Sequence, residues 1–379
     1  MSCKELPAYA HLDLDVVAAE GDELVLRDGR RVLDLYGGHC VNTLGAGNTE
    51  LAAALADQWD ALSFATNLLA LDERERFLAA FGANLPDGAW QVFLSNSGAE
   101  ANENALKGAL GATGRGTIVC FEGAFHGRTA AASAVTDTTA TGFPSAPFDV
   151  RRLPLGDVRA AEGAIDGDVA GVIIEPIQAM AGVVEPGAAF LGQLKDLCRD
   201  AGSLLIYDEV QTGNGRLGTP WAAQKLGVVP DVFTTAKGAA SGLPIGLTIF
   251  AEKAIANLDP KLFGSTFGGG PLALRAATEV ALRIADGSLL DNVNTVSARL
   301  FETAEVGPVA RLRGAGLLLG LELEPGVKAR DVQRGLLEQG VLVGTSKDPA
   351  VVRLTPPLTL APGRVDVLVE ALEGLEVPA

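Results

Sequence analysis

The chain has 379 residues, 48% of them hydrophobic, and a formal net charge of −17. That length supports about two domains around a sizeable core, and the acidity argues against nucleic acid, whose phosphates need a basic face. Four scattered cysteines without a Cys-x-x-Cys pair, and three histidines in all, argue against a disulfide framework and a metal site.

At the N-terminus, Lys4, Glu5, Asp13 and Asp15 break up any apolar secretory segment, and no stretch offers the ~18 uncharged residues of a membrane span. A cytoplasmic protein is expected. Val16–Leu35 alternates strand-like runs around the turn Asp28-Gly29. Further along, Trp90–Leu94, Thr117–Phe121, Val169–Glu175, Leu204–Asp208, Val232–Ala236 and Leu247–Ala251 read as buried strands, rich in Val, Ile, Leu, Phe and Thr. Helical stretches such as Ala99–Leu110 and Phe190–Asp200 lie between them. This rhythm predicts an α/β fold, a mostly parallel sheet covered by helices. After a helix near Pro271–Ile284, strands at Leu317–Glu322, Val341–Val343 and Val351–Leu354 mix with helices. The expected division is a large domain over 45–260 and a smaller α+β domain built from 1–44 and 261–379.

Ligands of such sheets sit beyond the carboxyl ends of the strands, and four of those ends carry chemistry. Ser95-Asn96-Ser97-Gly98-Ala99-Glu100 turns a strand into a helix whose first N–H groups can hold a phosphate; the same residues also make an ordinary N-cap. Asp208 closes an apolar strand, where an ionised carboxylate needs a partner such as a protonated pyridine nitrogen. Lys237 follows the buried-looking run Val232–Ala236. Desolvation there would favour the neutral amine that attacks an aldehyde. Phe125 offers a face for a flat ring, and Arg128 a fork for a carboxylate. Each fragment alone also fits core packing, a loop cap or a surface ion pair.

Together, Ser97-Gly98-Ala99-Glu100-Ala101-Asn102, Phe125-His126-Gly127-Arg128-Thr129, Asp208-Glu209-Val210-Gln211-Thr212-Gly213, Ala236-Lys237-Gly238 and Ser265-Thr266-Phe267-Gly268-Gly269 resemble the signatures of the class III (ω-amino acid) aminotransferases, and within them those of the acetylornithine aminotransferases. The resemblance runs from about Val25 to Pro357. It implies the type I aminotransferase fold and pyridoxal 5'-phosphate as cofactor, held by Lys237 as a Schiff base. Lys237 would then act as general base and acid, and Asp208 would keep the ring nitrogen protonated. Ser97, Gly98 and Ala99 would hold the phosphate, Phe125 would stack on the ring and Gln211 would bond near its phenolic oxygen. Glu175 would be a supporting carboxylate. Arg128 would bind a substrate carboxylate and Arg353 the α-carboxylate of glutamate or 2-oxoglutarate. Ser265 and Thr266 would reach the neighbouring subunit's site, so a homodimer is implied.

The activity implied is transfer of the terminal amine of N-acetylornithine to 2-oxoglutarate, in arginine biosynthesis. Pocket positions depart from the family pattern. Gln178-Ala179-Met180-Ala181-Gly182 stands where relatives read Gln-Gly-Glu-Gly-Gly, so the carboxylate that pairs with the glutamate-binding arginine is missing. Asn67-Leu68-Leu69-Ala70 replaces Asn-Leu-Tyr-Tyr, Gly45-Ala46-Gly47-Asn48-Thr49 replaces Gly-His-x-His-Pro, and Gly270 replaces an Asn. These changes keep other donors open: succinylornithine, ornithine, 4-aminobutyrate or a carrier-bound lysine precursor. An aminomutase is a further alternative.

Overall fold

The structure, a computed structural model, describes residues 3–8, 10–137 and 148–375. Near the N-terminus β1 (Val16–Glu20), β2 (Glu23–Leu26) and β3 (Arg31–Asp34) form an antiparallel meander. Its second turn lies where Asp28-Gly29 predicts it. Gly29 takes φ +87°, and Asp28 Oδ1 accepts from the Arg30 N–H at 3.0 Å.

The central sheet comprises β4 (Trp90–Ser95), β5 (Thr117–Phe121), β6 (Asp149–Leu153), β7 (Val169–Ile174), β8 (Leu204–Asp208), β9 (Val232–Thr235) and β10 (Gly246–Ala251). The spatial order is β4-β10-β9-β8-β7-β5-β6. From β6 to β9 neighbours are parallel, whereas β10 is antiparallel to both β9 and β4. Two reversals turn β4 back to the common direction. The carboxyl ends of the other six strands therefore share one edge with the start of β10, and that geometry gathers the site. β7 and β10 are buried along their whole length, as expected of strands covered on both faces. Ile173 and Ile174 are 0% exposed, each such side chain stabilising the fold by about 1.5–3 kcal/mol.

The edge strand β6 has no counterpart in the sequence reading. It carries Arg151 and Arg152 and is only partly buried, so it lacks the apolar run that marks its neighbours; charged side chains are a common protection of a sheet edge.

The last third contains the helices Pro271–Ala285 and Ser288–Thr303, then β11 (Val309–Ala315), β12 (Leu318–Leu323), β13 (Val341–Leu342), β14 (Gly344–Thr345) and β15 (Val351–Leu354). β11, β12, β15 and β14 make an antiparallel sheet in that order, while β13 pairs in parallel with β3. The single run expected at Val341–Val343 is thus divided. The chain leaves one sheet after Leu342 and joins another at Gly344, and a hydrophobic run does not reveal such a crossing. Leu33, Val172, Leu319 and Leu354 belong to one contiguous cluster of buried side chains, so all three sheets share a core. Among the described residues no helix is long and apolar enough to cross a membrane.

Candidate active site

Beyond the shared sheet edge lies a cavity of about 530 Å³. Its lining includes Ser97, Gly98, Ala99, Phe125, Arg128, Glu175, Asp208, Gln211 and Lys237, nine of the residues singled out in the sequence. Gly242–Ile245, the approach to β10, complete one wall. Ser265, Thr266 and Arg353 do not line this cavity.

Asp208 is the last residue of β8 and is 4% exposed. Its Oδ1 accepts from the Val210 N–H at 3.0 Å; its Oδ2 accepts from Asn102 Nδ2 at 2.7 Å and lies 2.8 Å from His126 Nδ1. The register supplies the support: Thr234 stands opposite Asp208 across β8 and β9, and its hydroxyl donates to Asn102 Oδ1 at 2.6 Å. A carboxylate offers about four lone-pair positions. Three are taken, and the remaining one can meet a cationic N–H in the cavity. The sequence motifs contain Asn102 and His126, yet neither was given this part, because their link to Asp208 exists only in three dimensions.

At the start of the helix Gly98–Thr113, Ser97 caps the Glu100 N–H at 3.2 Å, and Glu100 Oε2 takes the Asn96 N–H at 2.7 Å. The N-cap reading is therefore correct, and the phosphate reading survives beside it. The N–H groups of Gly98 and Ala99 have no partner among the described residues, and they belong to the positive end of a helix. A Cβ on Gly98 would sit 3.0 Å from the methyls of Val210, a residue that also lines the cavity. Phe125 and Val210 offer apolar surface to a flat ring. The Arg128 guanidinium carbon lies 5.2 Å from the Phe125 ring centroid, a cation–π contact at the exposed side.

Lys237 follows β9 and Ala236, and it takes φ +39°, a strained conformation of the kind that concentrates at functional sites. Burial holds its ammonium below the ordinary lysine range, against the pull of Asp208 and Glu175. Glu175 directly follows β7, and its Oε1 accepts from the Phe125 N–H at 2.8 Å. Burial pushes its carboxyl up to about 7, with His126 opposing and Asp208 reinforcing the shift. Glu209, quoted in the same motif as Asp208, turns away from the cavity. It takes the N–H groups of Ala222 and Ala223 at 2.7 and 3.0 Å and so caps a short helix.

A carboxyl at about 7 in the folded chain against 4.5 unfolded binds its proton more tightly when folded. Stability from Glu175 is then full below pH 4.5 and is lost as pH rises to 7. In Glu175→Gln, the loss of unfolding free energy between pH 5 and 8 should shrink, by up to about 3 kcal/mol. Denaturant titrations of the cofactor-free protein at both pH values test this; an unchanged difference would contradict the assigned shift.

Arg353 lies on β15 and is 1% exposed. Its Nε donates to the Thr345 carbonyl at 2.7 Å and its Nη2 to Tyr36 Oη at 3.1 Å, while Nη1 is buried without a partner among the described residues. Tyr36 opens a turn in which Gly37, Gly38, His39 and Cys40 all have φ between 55° and 67°. Left-handed backbone costs about 1–2 kcal/mol for a residue with a Cβ, so His39 and Cys40 are held there by their surroundings. Asp34 Oδ1 accepts from the Tyr36 and Gly37 N–H groups at 2.9 and 2.8 Å, and Thr355 Oγ1 donates to the Tyr36 carbonyl at 2.6 Å. The Met180 backbone carbonyl accepts from the Lys347 N–H at 2.8 Å.

Ser265 Oγ lies 3.2 Å from Asn96 Nδ2, and the Ser265 carbonyl accepts from Asn67 Nδ2 at 2.7 Å. Exposed apolar side chains surround this segment, with Phe267 68%, Leu68 91% and Leu69 55% exposed.

The cavity matches pyridoxal phosphate part by part: free N–H donors for the phosphate, an acceptor for a ring N–H, apolar surface for the ring and an amine for the aldehyde. Comparison with known proteins agrees. The model of the class III aminotransferase family matches residues 7–375. The acetylornithine aminotransferase of Mycolicibacterium smegmatis is 39% identical over 373 residues, covering 97% of this chain and 94% of that protein. That of Streptomyces coelicolor is 41% identical over 378 residues, with 97% and 92% covered. Among solved structures, the ornithine aminotransferase of Toxoplasma gondii, with partial occupancy of PLP at its active site, superposes with TM-score 0.86 at 28% identity, covering 97% of this chain and 91% of that one. The chain belongs to the class III aminotransferases, enzymes dependent on pyridoxal phosphate.

Proposed function

We propose that this aminotransferase moves the terminal amine of N-acetylornithine to 2-oxoglutarate, giving N-acetylglutamate semialdehyde and glutamate, a step of arginine biosynthesis. One observation carries the acceptor half of this reading: Arg353 is buried and its Nη1 has no partner among the described residues. A buried guanidinium without a carboxylate is costly unless an anionic ligand completes it. Arg128, exposed at the cavity, supplies a second cation for the other carboxylate. The donor follows the acetylornithine aminotransferases that are 39% and 41% identical to this chain.

When bound, pyridoxal phosphate supplies the aldehyde and an electron-withdrawing ring. The protein's part is to hold and move protons. Lys237 Nζ, biased towards the neutral amine by burial, takes a proton from the carbon bearing the substrate nitrogen and returns it at the other end of the exchange. Asp208, fixed by Asn102 and His126, would hold the ring nitrogen of the bound cofactor in its protonated form. Gly98 and Ala99 would hold the phosphate, Phe125 and Val210 would exclude water around the ring, and Gln211, which also lines the cavity, would hydrogen-bond near the phenolic oxygen.

The active unit is a homodimer in this reading, with Ser265 and Thr266 reaching the neighbouring site. Their absence from this chain's own cavity lining and the apolar surface at Phe267, Leu68 and Leu69 support it, since exposed apolar patches mark interfaces. Four free cysteines fit a reducing compartment and hence the cytoplasm. The parallel pairing of β13 with β3 supports a small domain built from both chain ends.

Screening N-acetylornithine, succinylornithine, ornithine and 4-aminobutyrate as donors to 2-oxoglutarate, followed by glutamate formation, tests the assignment. N-acetylornithine should give the highest kcat/KM, by at least about tenfold. A different leader would overturn the donor; turnover of one substrate without 2-oxoglutarate would favour an aminomutase.

A further inference from the structure

Arg353 offers five N–H donors and no acceptor, so Tyr36 Oη, 3.1 Å from Nη2, must accept from it. The hydroxyl proton is then free to go elsewhere, and the His39 ring stands ready for it: Oη lies 2.7 Å from Nδ1 and 2.8 Å from Nε2, so whichever nitrogen is unprotonated can accept, and the rings are 4.5 Å apart. The relay runs from guanidinium to phenol to imidazole, and it requires a neutral histidine that accepts. The surroundings enforce that state. Partial burial is the main cause, and the neighbouring Arg353 charge acts in the same direction, holding its imidazole down to about 4.

The backbone is shaped for this contact. His39 has φ 65° and ψ 48° inside the left-handed turn. The turn is locked because a Cβ on Gly37 would lie 2.4 Å from the Thr355 carbonyl oxygen. On the other side Tyr36 fills a place only a glycine leaves open, since a Cβ on Gly344 would lie 2.1 Å from Tyr36 Cε2. The guanidinium carbon of Arg353 is 5.6 Å from the Tyr36 ring centroid. Both of its bonded groups, the Thr345 carbonyl and the Tyr36 hydroxyl, are neutral, so its charge remains uncompensated among the described residues.

We propose that Tyr36 and His39 are positioning residues that fix Arg353 with Nη1 presented to the carboxylate of the keto-acid acceptor. The proposal rests on the reading of Arg353 as the acceptor's carboxylate site. It also accounts for Met180. A neutral phenol–imidazole pair orients the arginine without competing for its charge, so no carboxylate has to move aside when the acceptor arrives.

The test uses the holoenzyme and glutarate, which has the acceptor's two carboxylates and no keto group. Calorimetric titration with glutarate is run beside the KM for 2-oxoglutarate and the rate of the donor half-reaction. Tyr36→Phe and His39→Ala should each weaken glutarate about tenfold, the effect expected when a hydrogen bond to a charged group is lost. KM should rise by the same factor, with kcat falling less than threefold. His39→Gln, which keeps an acceptor, should recover most of the affinity. Tyr36→Phe retains the ring against Gly344 and carries the test alone should His39→Ala unfold the turn. Affinity within twofold of wild type in Tyr36→Phe, or an equal loss in the donor half-reaction, would overturn the proposal. Failure of the wild type itself to bind glutarate, with Arg353→Ala behaving alike, would remove the acceptor reading of Arg353 and this inference with it.

Discussion

Lys237→Ala should lower transamination by roughly 10⁴-fold or more, since both the covalent anchor and the proton-transferring group disappear together. The amine has no substitute. His126 Nδ1 is committed to Asp208, Arg128 remains charged, and Glu175 is tied to the Phe125 N–H. Cofactor affinity should fall much less than activity, because the Gly98 and Ala99 N–H groups and the Asp208 carboxylate do not depend on the lysine. Single-turnover assays paired with equilibrium dialysis of pyridoxal phosphate separate the two effects. Wild-type turnover in the variant would remove Lys237 from the mechanism; complete loss of cofactor binding would contradict the phosphate and pyridine sites.

The second large effect is expected at Asp208. In Asp208→Asn the side chain keeps its shape but loses its charge, and half of it becomes a donor. Asn102 Nδ2 and His126 Nδ1 both converge on Oδ2, so the amide oxygen must serve them there. Its NH₂ then takes the Oδ1 place, next to the Val210 N–H that Oδ1 accepted. A buried donor facing another donor is expensive, and the ring nitrogen loses its counter-charge. Removing one preorganised electrostatic group costs roughly 10²–10³-fold in kcat, and that is the expected loss, with the fold retained. Steady-state kinetics with a thermal melt checks it. An Asp208→Asn enzyme within threefold of wild type would show that the carboxylate's charge is not used.

Much of this site was legible because its residues sit at the punctuation of an α/β sheet. Asp208 and Lys237 each end an apolar run, and parallel strands bring such ends to one edge. The antiparallel reversal of β10 was not legible, yet it adds Gly242–Ile245 to the cavity. Contacts made across long sequence separations were also hidden. Asn102 and Asp208 are 106 residues apart, and Arg353 and Tyr36 are 317 apart. No local pattern encodes such pairs. The Tyr36–Cys40 turn is a different case. It was not read from the sequence, and nothing there said that His39 would take the left-handed conformation and turn its ring to the Tyr36 hydroxyl. The groups around Arg353, the Tyr36 hydroxyl and the Thr345 carbonyl, were found only in the fold.

Borohydride reduction of the purified holoenzyme, followed by peptide mass mapping, tests the central claim most directly. The account predicts that the visible absorbance band is bleached and that a single pyridoxyl phosphate adduct is fixed on Lys237. An adduct on any other lysine, or protein that gains neither band nor adduct with added pyridoxal phosphate, would contradict it.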